Sequence, residues 1–210
     1  MFNQKEKFLL IFLILYFFSF FYGCRRTENY QEKLFADERT TQSNQPEIND
    51  NIAFFVKYEV SSPNETGTMK LYQKGDLAKI EMEAVAFNRI LNTTSYFTTD
   101  SVFVIKTEGE NKKGFRMPKM ETGKDELNIL SLEKEIKNFD SIGTGKVMDY
   151  SCNIFKKKDE TTIYFYKNKV ILKITNPYNQ QIIAKEFNPL LMVGDDFFIP
   201  PKNVKYFSEN

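Results

Sequence analysis

A mainly β fold of the α+β class is what the sequence predicts: one antiparallel, curved sheet of about nine to eleven strands with a single main amphipathic helix. Three observations carry this. From residue 51 onward apolar residues recur at every second position, the period of a half-buried strand. Short segments rich in Gly, Asn, Asp and Lys separate these runs, as hairpin turns do. One stretch alone, Glu126–Phe139, shifts to a helical period.

The elements follow in order. Ile52, Phe54, Val56, Tyr58 and Val60 alternate with residues that include Lys57, Glu59 and Ser61, which predicts a long strand with one apolar face. Ser62 to Gly67 is a turn, Thr68 to Gln73 a second strand, and Lys74-Gly75-Asp76 a tight turn. Leu77 to Ala86 then places Ala78, Ile80, Met82 and Ala84 inward and Lys79, Glu81 and Glu83 outward. Strands at Asn88 to Phe97, at Val102 to Thr107 and after the loop Glu108 to Gly114 complete a meander. Leu132, Ile136 and Phe139, extended by Ile129, form the helical stripe, and Asp140 to Gly145 ends it with two glycines. Strands resume over Lys146 to Phe155, Thr161 to Lys167, Val170 to Thr175 and Gln181 to Phe187. Phe197 to Pro201 reads as a closing edge strand capped by proline.

Three segments divide the 210 residues. Residues 1–23 carry Lys5 and Lys7 followed by an apolar run from Phe8 to Tyr22, the pattern of a signal peptide. At about 1.5 Å per residue this run is shorter than a hydrocarbon core of roughly 30 Å, so cleavage is favoured over a membrane span. Residues 24–50 are polar, with too few apolar side chains to offset the entropy of ordering, and read as a tether. Residues 51–210 form the folded domain.

Composition excludes much chemistry. The chain has no histidine, so Ser-His and Cys-His nucleophiles and the commonest zinc sites are absent. Twenty-nine basic residues against 28 acidic ones give no electrostatic case for nucleic acid. The carboxylate pair Glu81 and Glu83 falls on a solvated strand face, Asp195-Asp196 lacks the spacing of a calcium loop, and no phosphate loop or CxxC pair occurs. No enzyme, metal or cofactor is expected. Cys152, in the mixed polar and apolar run Met148 to Ile154, reads as a buried, unreactive strand residue, with a Cys24–Cys152 disulfide as the competing reading.

Gly23-Cys24 at the end of the apolar run resembles the lipobox of bacterial lipoproteins, in which the cysteine carries the diacylglycerol anchor. Phe21 and Tyr22 stand where that family usually has Leu and a small residue. An uncleaved signal anchor and an ordinary secreted protein are the alternatives. Lipidation of Cys24 places the protein in the bacterial cell envelope, on the periplasmic side of a membrane or on the surface. The succession from Gly67 to Glu81, Gly114-Phe115-Arg116-Met117, Met148 to Phe155 and Asp196 to Pro200 is similar to the LolA/LolB-like superfamily of lipoprotein carriers. That resemblance implies an open half-barrel with acyl chains on its concave face under helical lids.

Strand parity nominates Phe54, Val56, Tyr58, Leu71, Ile80, Met82, Phe103, Ile105, Met117, Ile136, Phe165 and Leu172 as lining for such a cavity. The same side chains can instead pack a dry core, and the sequence leaves the two open. The expected function is therefore non-enzymatic: a lipid-anchored, monomeric carrier or sensor for a lipid or lipoprotein acyl chain. The alternative is an envelope interaction lipoprotein with a filled core and no lipid ligand.

Overall fold

The computed structural model describes residues 45–208 apart from 64, 87–88, 119–135 and 137–138. The expected signal segment, Cys24 and most of the tether lie outside these residues. So does the helix expected over Glu126–Phe139, save for Ile136 and Phe139, and among the described residues no α-helix is seen. Ile136 and Phe139 are half-buried against the main core.

Twelve strands build one large, curved, open sheet. β1 (Ala53–Ser62), β2 (Glu65–Lys74), β3 (Leu77–Ala86), β4 (Arg89–Phe97), β5 (Ser101–Glu108) and β6 (Asn111–Pro118) form the first meander. β7 (Asp140–Val147), β8 (Tyr150–Lys156), β9 (Thr162–Tyr166), β10 (Val170–Thr175) and β11 (Gln181–Leu191) form the second. β12 (Tyr206–Ser208) is a short addition at the C-terminus. The spatial order is β12-β6-β5-β4-β3-β2-β1-β11-β10-β9-β8-β7. The two meanders thus join through the antiparallel β1–β11 pair, and among the described strands only β12 on β6 is parallel.

Three expectations from the sequence need correction. Lys146 to Phe155 is not one strand but the β7–β8 hairpin, turning at Met148-Asp149 with Met148 at a φ of 53°. Asp140 to Gly145, expected to end a helix, belongs to β7; glycine there makes room, since a Cβ on Gly145 would stand 2.9 Å from Ile154 Cδ1. The proposed closing strand Phe197 to Pro201 is instead a 3-10 turn, Asp195–Phe198, leading through Pro200-Pro201 toward β12.

Register fixes which side chains share a face, because residues directly opposite in an antiparallel pair point the same way. Val56 opposes Leu71, Leu71 opposes Ile80, and Tyr58 opposes Met69, which opposes Met82. This inner face bears the main core, drawn from β1, β2, β3 and β7 to β11. Bulges bend the sheet around it. At one, Pro189 and Leu190 sit between Asn188, opposite Phe55, and Leu191, opposite Ala53, a position that spares the proline a ladder bond. At another, between Ile171 and Lys173 of β10, alternation breaks and Val170, Ile171 and Leu172 are all buried. The β10–β11 ladder runs only over Lys173–Thr175, and the Tyr58 hydroxyl donates to the Ile171 carbonyl at 2.8 Å across the interior.

Candidate functional site

The residues expected to line a cavity divide into three groups. Phe54, Val56, Tyr58, Leu71, Phe165 and Leu172 come together in one cluster and none is more than 6% exposed. Ile80 and Ile136 pack against the border of that cluster, and Met82, opposite Met69, is half-buried on the same face. Met117, opposite Val102, is half-buried at the β5–β6 flank.

Phe103 and Ile105 do not belong with them. Thr94 opposes Ile105 and Tyr96 opposes Phe103, and Tyr96 in turn opposes Lys79, whose neighbours in sequence, Ala78 and Ile80, face inward. Both residues therefore lie on the outer face. The physical reason is that Val102-Phe103-Val104-Ile105 is apolar throughout, because β5 buries Val104 on the inner face and Ile105 on the outer; such a run carries no parity.

What covers the outer face is the C-terminal segment, a strap that sequence reasoning took for a closing strand. Tyr96, Ile105 and Val204 form a second buried cluster, with Phe103 and Tyr206 packed against it. Phe198 is buried, and Phe197 meets Tyr72 edge-on at 5.0 Å between ring centroids. The Lys79 ammonium sits between three rings, 4.4 Å from the centroid of Phe197 and 5.7 Å from those of Tyr72 and Tyr96. Such cation–π contacts are worth about 0.5–2 kcal/mol depending on desolvation. Lys79 also pairs with Glu81 at 2.8 Å, and Lys74 with Asp195 at 2.6 Å. Two of the four carboxylates singled out as candidate pairs are thus tied to lysines, while Glu83 and Asp196 are exposed.

The strap ends in β12, where Tyr206 lies level with Gly114 and Phe207 with Phe115. A Cβ on Gly114 would stand 2.7 Å from Tyr206 Cδ1 and 2.8 Å from Val204 Cγ1, so only glycine seats these two side chains. The Gly114-Phe115 signal was present in the sequence, but nothing local to it announces a partner ninety residues away.

Burial favours the neutral forms of two titratable groups in the interior. Burial raises the Tyr58 phenol far above its ordinary range. Burial also pushes the Cys152 thiol up to about 11, against a smaller opposing effect of a backbone hydrogen bond from Val147. Cys152 is a free, buried thiol whose sulfur is 3.6 Å from the Tyr150 carbonyl oxygen. Tyr166 donates to the Pro46 carbonyl, which pins the segment before β1 across this end of the sheet. Its pKa is raised, first by burial and then by Tyr150, Cys152 and Glu47. A cleft of about 40 Å³ among Ile48, Asp50, Phe54, Gln73 and Lys169 admits water-sized molecules only. Among the described residues no three His, Cys, Asp or Glu side chains converge as a metal site.

No protein family matches the chain, and no curated protein does. Among solved structures, an uncharacterized conserved protein from Thermus thermophilus superposes with a TM-score of 0.52 at 8% identity, over 76% of this chain and 91% of that one. The two share a fold. PNGF-II superposes with a TM-score of 0.42 at 8% identity over 76% of this chain, which spans 31% of it. For a chain of the Pseudomonas aeruginosa MucA/MucB complex the TM-score is 0.41 at 8% identity, over 72% of this chain and 57% of that one.

Proposed function

We propose that this protein is a non-enzymatic lipoprotein of the bacterial cell envelope, anchored through an acylated Cys24, whose sheet is a filled scaffold that binds a protein partner at its surface. The observation that carries this is the burial of Phe54, Val56, Tyr58, Leu71, Phe165 and Leu172 in one cluster, none of them more than 6% exposed. A carrier would hold its ligand where these side chains hold each other. The Gly23-Cys24 junction, the polar residues up to Asp50 and the absence of histidine support the anchor, the tether and the lack of catalysis.

A second reading keeps the LolA/LolB-like carrier. It is favoured by the β3–β6 part of the inner face, where Met82, Val102 and Met117 are half-buried rather than closed over. A titration with a fluorescent fatty acid separates the two. The filled scaffold gives no saturable signal; one-to-one saturation below about 10 μM, a gain of roughly 7 kcal/mol, would establish the carrier instead.

A further inference from the structure

We propose that the β6 edge is a strand-addition site for an extended segment of a partner protein, and that the chain's own β12 occupies it in cis. This rests on the reading of the molecule as a protein-binding scaffold and names the surface.

β12 differs from every other strand. Among the described strands it alone pairs in parallel, and its described residues pair with three of the eight residues of β6, Gly114 to Arg116. An edge strand left bare is a template for pairing with another chain. Here the template carries a side-chain code as well as backbone groups. Gly114 leaves a notch into which Val204 and Tyr206 fit, backed by Ile105, Phe103 and Tyr96. The Tyr206 ring meets Phe103 edge-on at 5.2 Å. Phe207, on the other side of the edge, lies 6.4 Å from Phe115 and stays about half exposed. The recognised pattern is thus a β-branched residue, any residue, then two consecutive aromatics, read by alternate pockets as in other strand-addition complexes. A partner segment carrying this pattern would replace β12 alongside Gly114 to Arg116.

A tethered strand competes with any partner at an effective concentration in the millimolar range, so the cis copy holds the site until a better strand arrives. The test uses a fluorescein-labelled peptide of residues 202–210 and anisotropy titrations of the full chain in detergent. Tyr206→Ser, which weakens the cis strand and leaves the notch intact, should bind the peptide at least about tenfold tighter than the wild type. Gly114→Val, which fills the notch, should show no saturable binding. Should that variant fail to fold, a peptide with its Tyr206 changed to Gly provides the same control, and it should compete at least about tenfold more weakly than the unaltered peptide. Equal affinity for wild type and Tyr206→Ser, or undiminished binding by Gly114→Val or by the Gly-substituted peptide, overturns the proposal. These outcomes are independent of the fatty-acid titration, which tests the filled scaffold alone.

Discussion

Leu172→Ala distinguishes a packed interior from a ligand cavity by its cost. Leu172 is fully buried in the β10 bulge, within the cluster that holds Val56, Phe165 and Ile163. The substitution deletes about three carbons, which at ~0.8 kcal/mol per methylene removes about 2.4 kcal/mol of transfer free energy. A residual void of roughly 50 Å³ adds about 1 kcal/mol at ~24 cal/mol per Å³. The sum, about 3.5 kcal/mol, corresponds to a fall of roughly 7–14 °C in Tm for a domain of this size. Equilibrium urea unfolding followed by tyrosine fluorescence and far-UV circular dichroism measures it, since the chain has no tryptophan. A side chain facing an open or lipid-filled space would lose little on truncation. A loss below about 1 kcal/mol would therefore refute the packed interior.

The other predictions concern single interactions. Tyr58→Phe removes the donor to the Ile171 carbonyl and should cost about 1–2 kcal/mol in the same urea experiment, with the slope of the transition unchanged. Lys79→Met withdraws the ammonium from between Phe197, Tyr72 and Tyr96; it should cost about 1 kcal/mol and speed amide hydrogen exchange over 204–207 while leaving β1 protected. Cys152 gives a pH dependence whose sign is fixed. The fold raises its thiol from an ordinary value of 9.0 to about 11, so the native state binds the proton more tightly than the unfolded chain. Its stabilising contribution is complete below pH 9 and is lost as the pH rises through 11, and Cys152→Ala should flatten the alkaline limb of a stability-versus-pH curve. Cys24→Ser should abolish incorporation of an alkyne-labelled palmitate in a bacterial host, whereas Cys152→Ser should not change it.

The first meander was legible because its strands are amphipathic. Val56 and Tyr58 alternate with Lys57 and Glu59, which keep solvent contact, and turn residues such as Gly75, with a φ of 52°, mark where the chain reverses. The second meander was legible only in part. Asp140–Val147 is an edge strand with little apolar content, and its two glycines mimic a helix end while serving the strand, Gly145 by making room for Ile154 and Gly143 by adopting a φ of 136°. Phe103 and Ile105 fall on the face opposite to the one parity predicts, because a strand that buries residues on both sides shows no alternation. The strap was not legible at all: its anchoring contacts, Lys74 with Asp195, Lys79 with Phe197 and Gly114 with Tyr206, join residues far apart in sequence. Periodicity reports the burial of local segments, whereas the strap depends on a notch that one glycine makes in a distant strand.

The filled interior is the claim on which the functional reading turns. Native mass spectrometry of the purified protein, paired with organic extraction of the same sample, addresses it without a labelled ligand. A filled interior gives the mass of the protein alone, with any N-terminal modification, unchanged after incubation with fatty acids and phospholipids. A stoichiometric non-covalent lipid, recovered in the extract, would contradict it and restore the carrier.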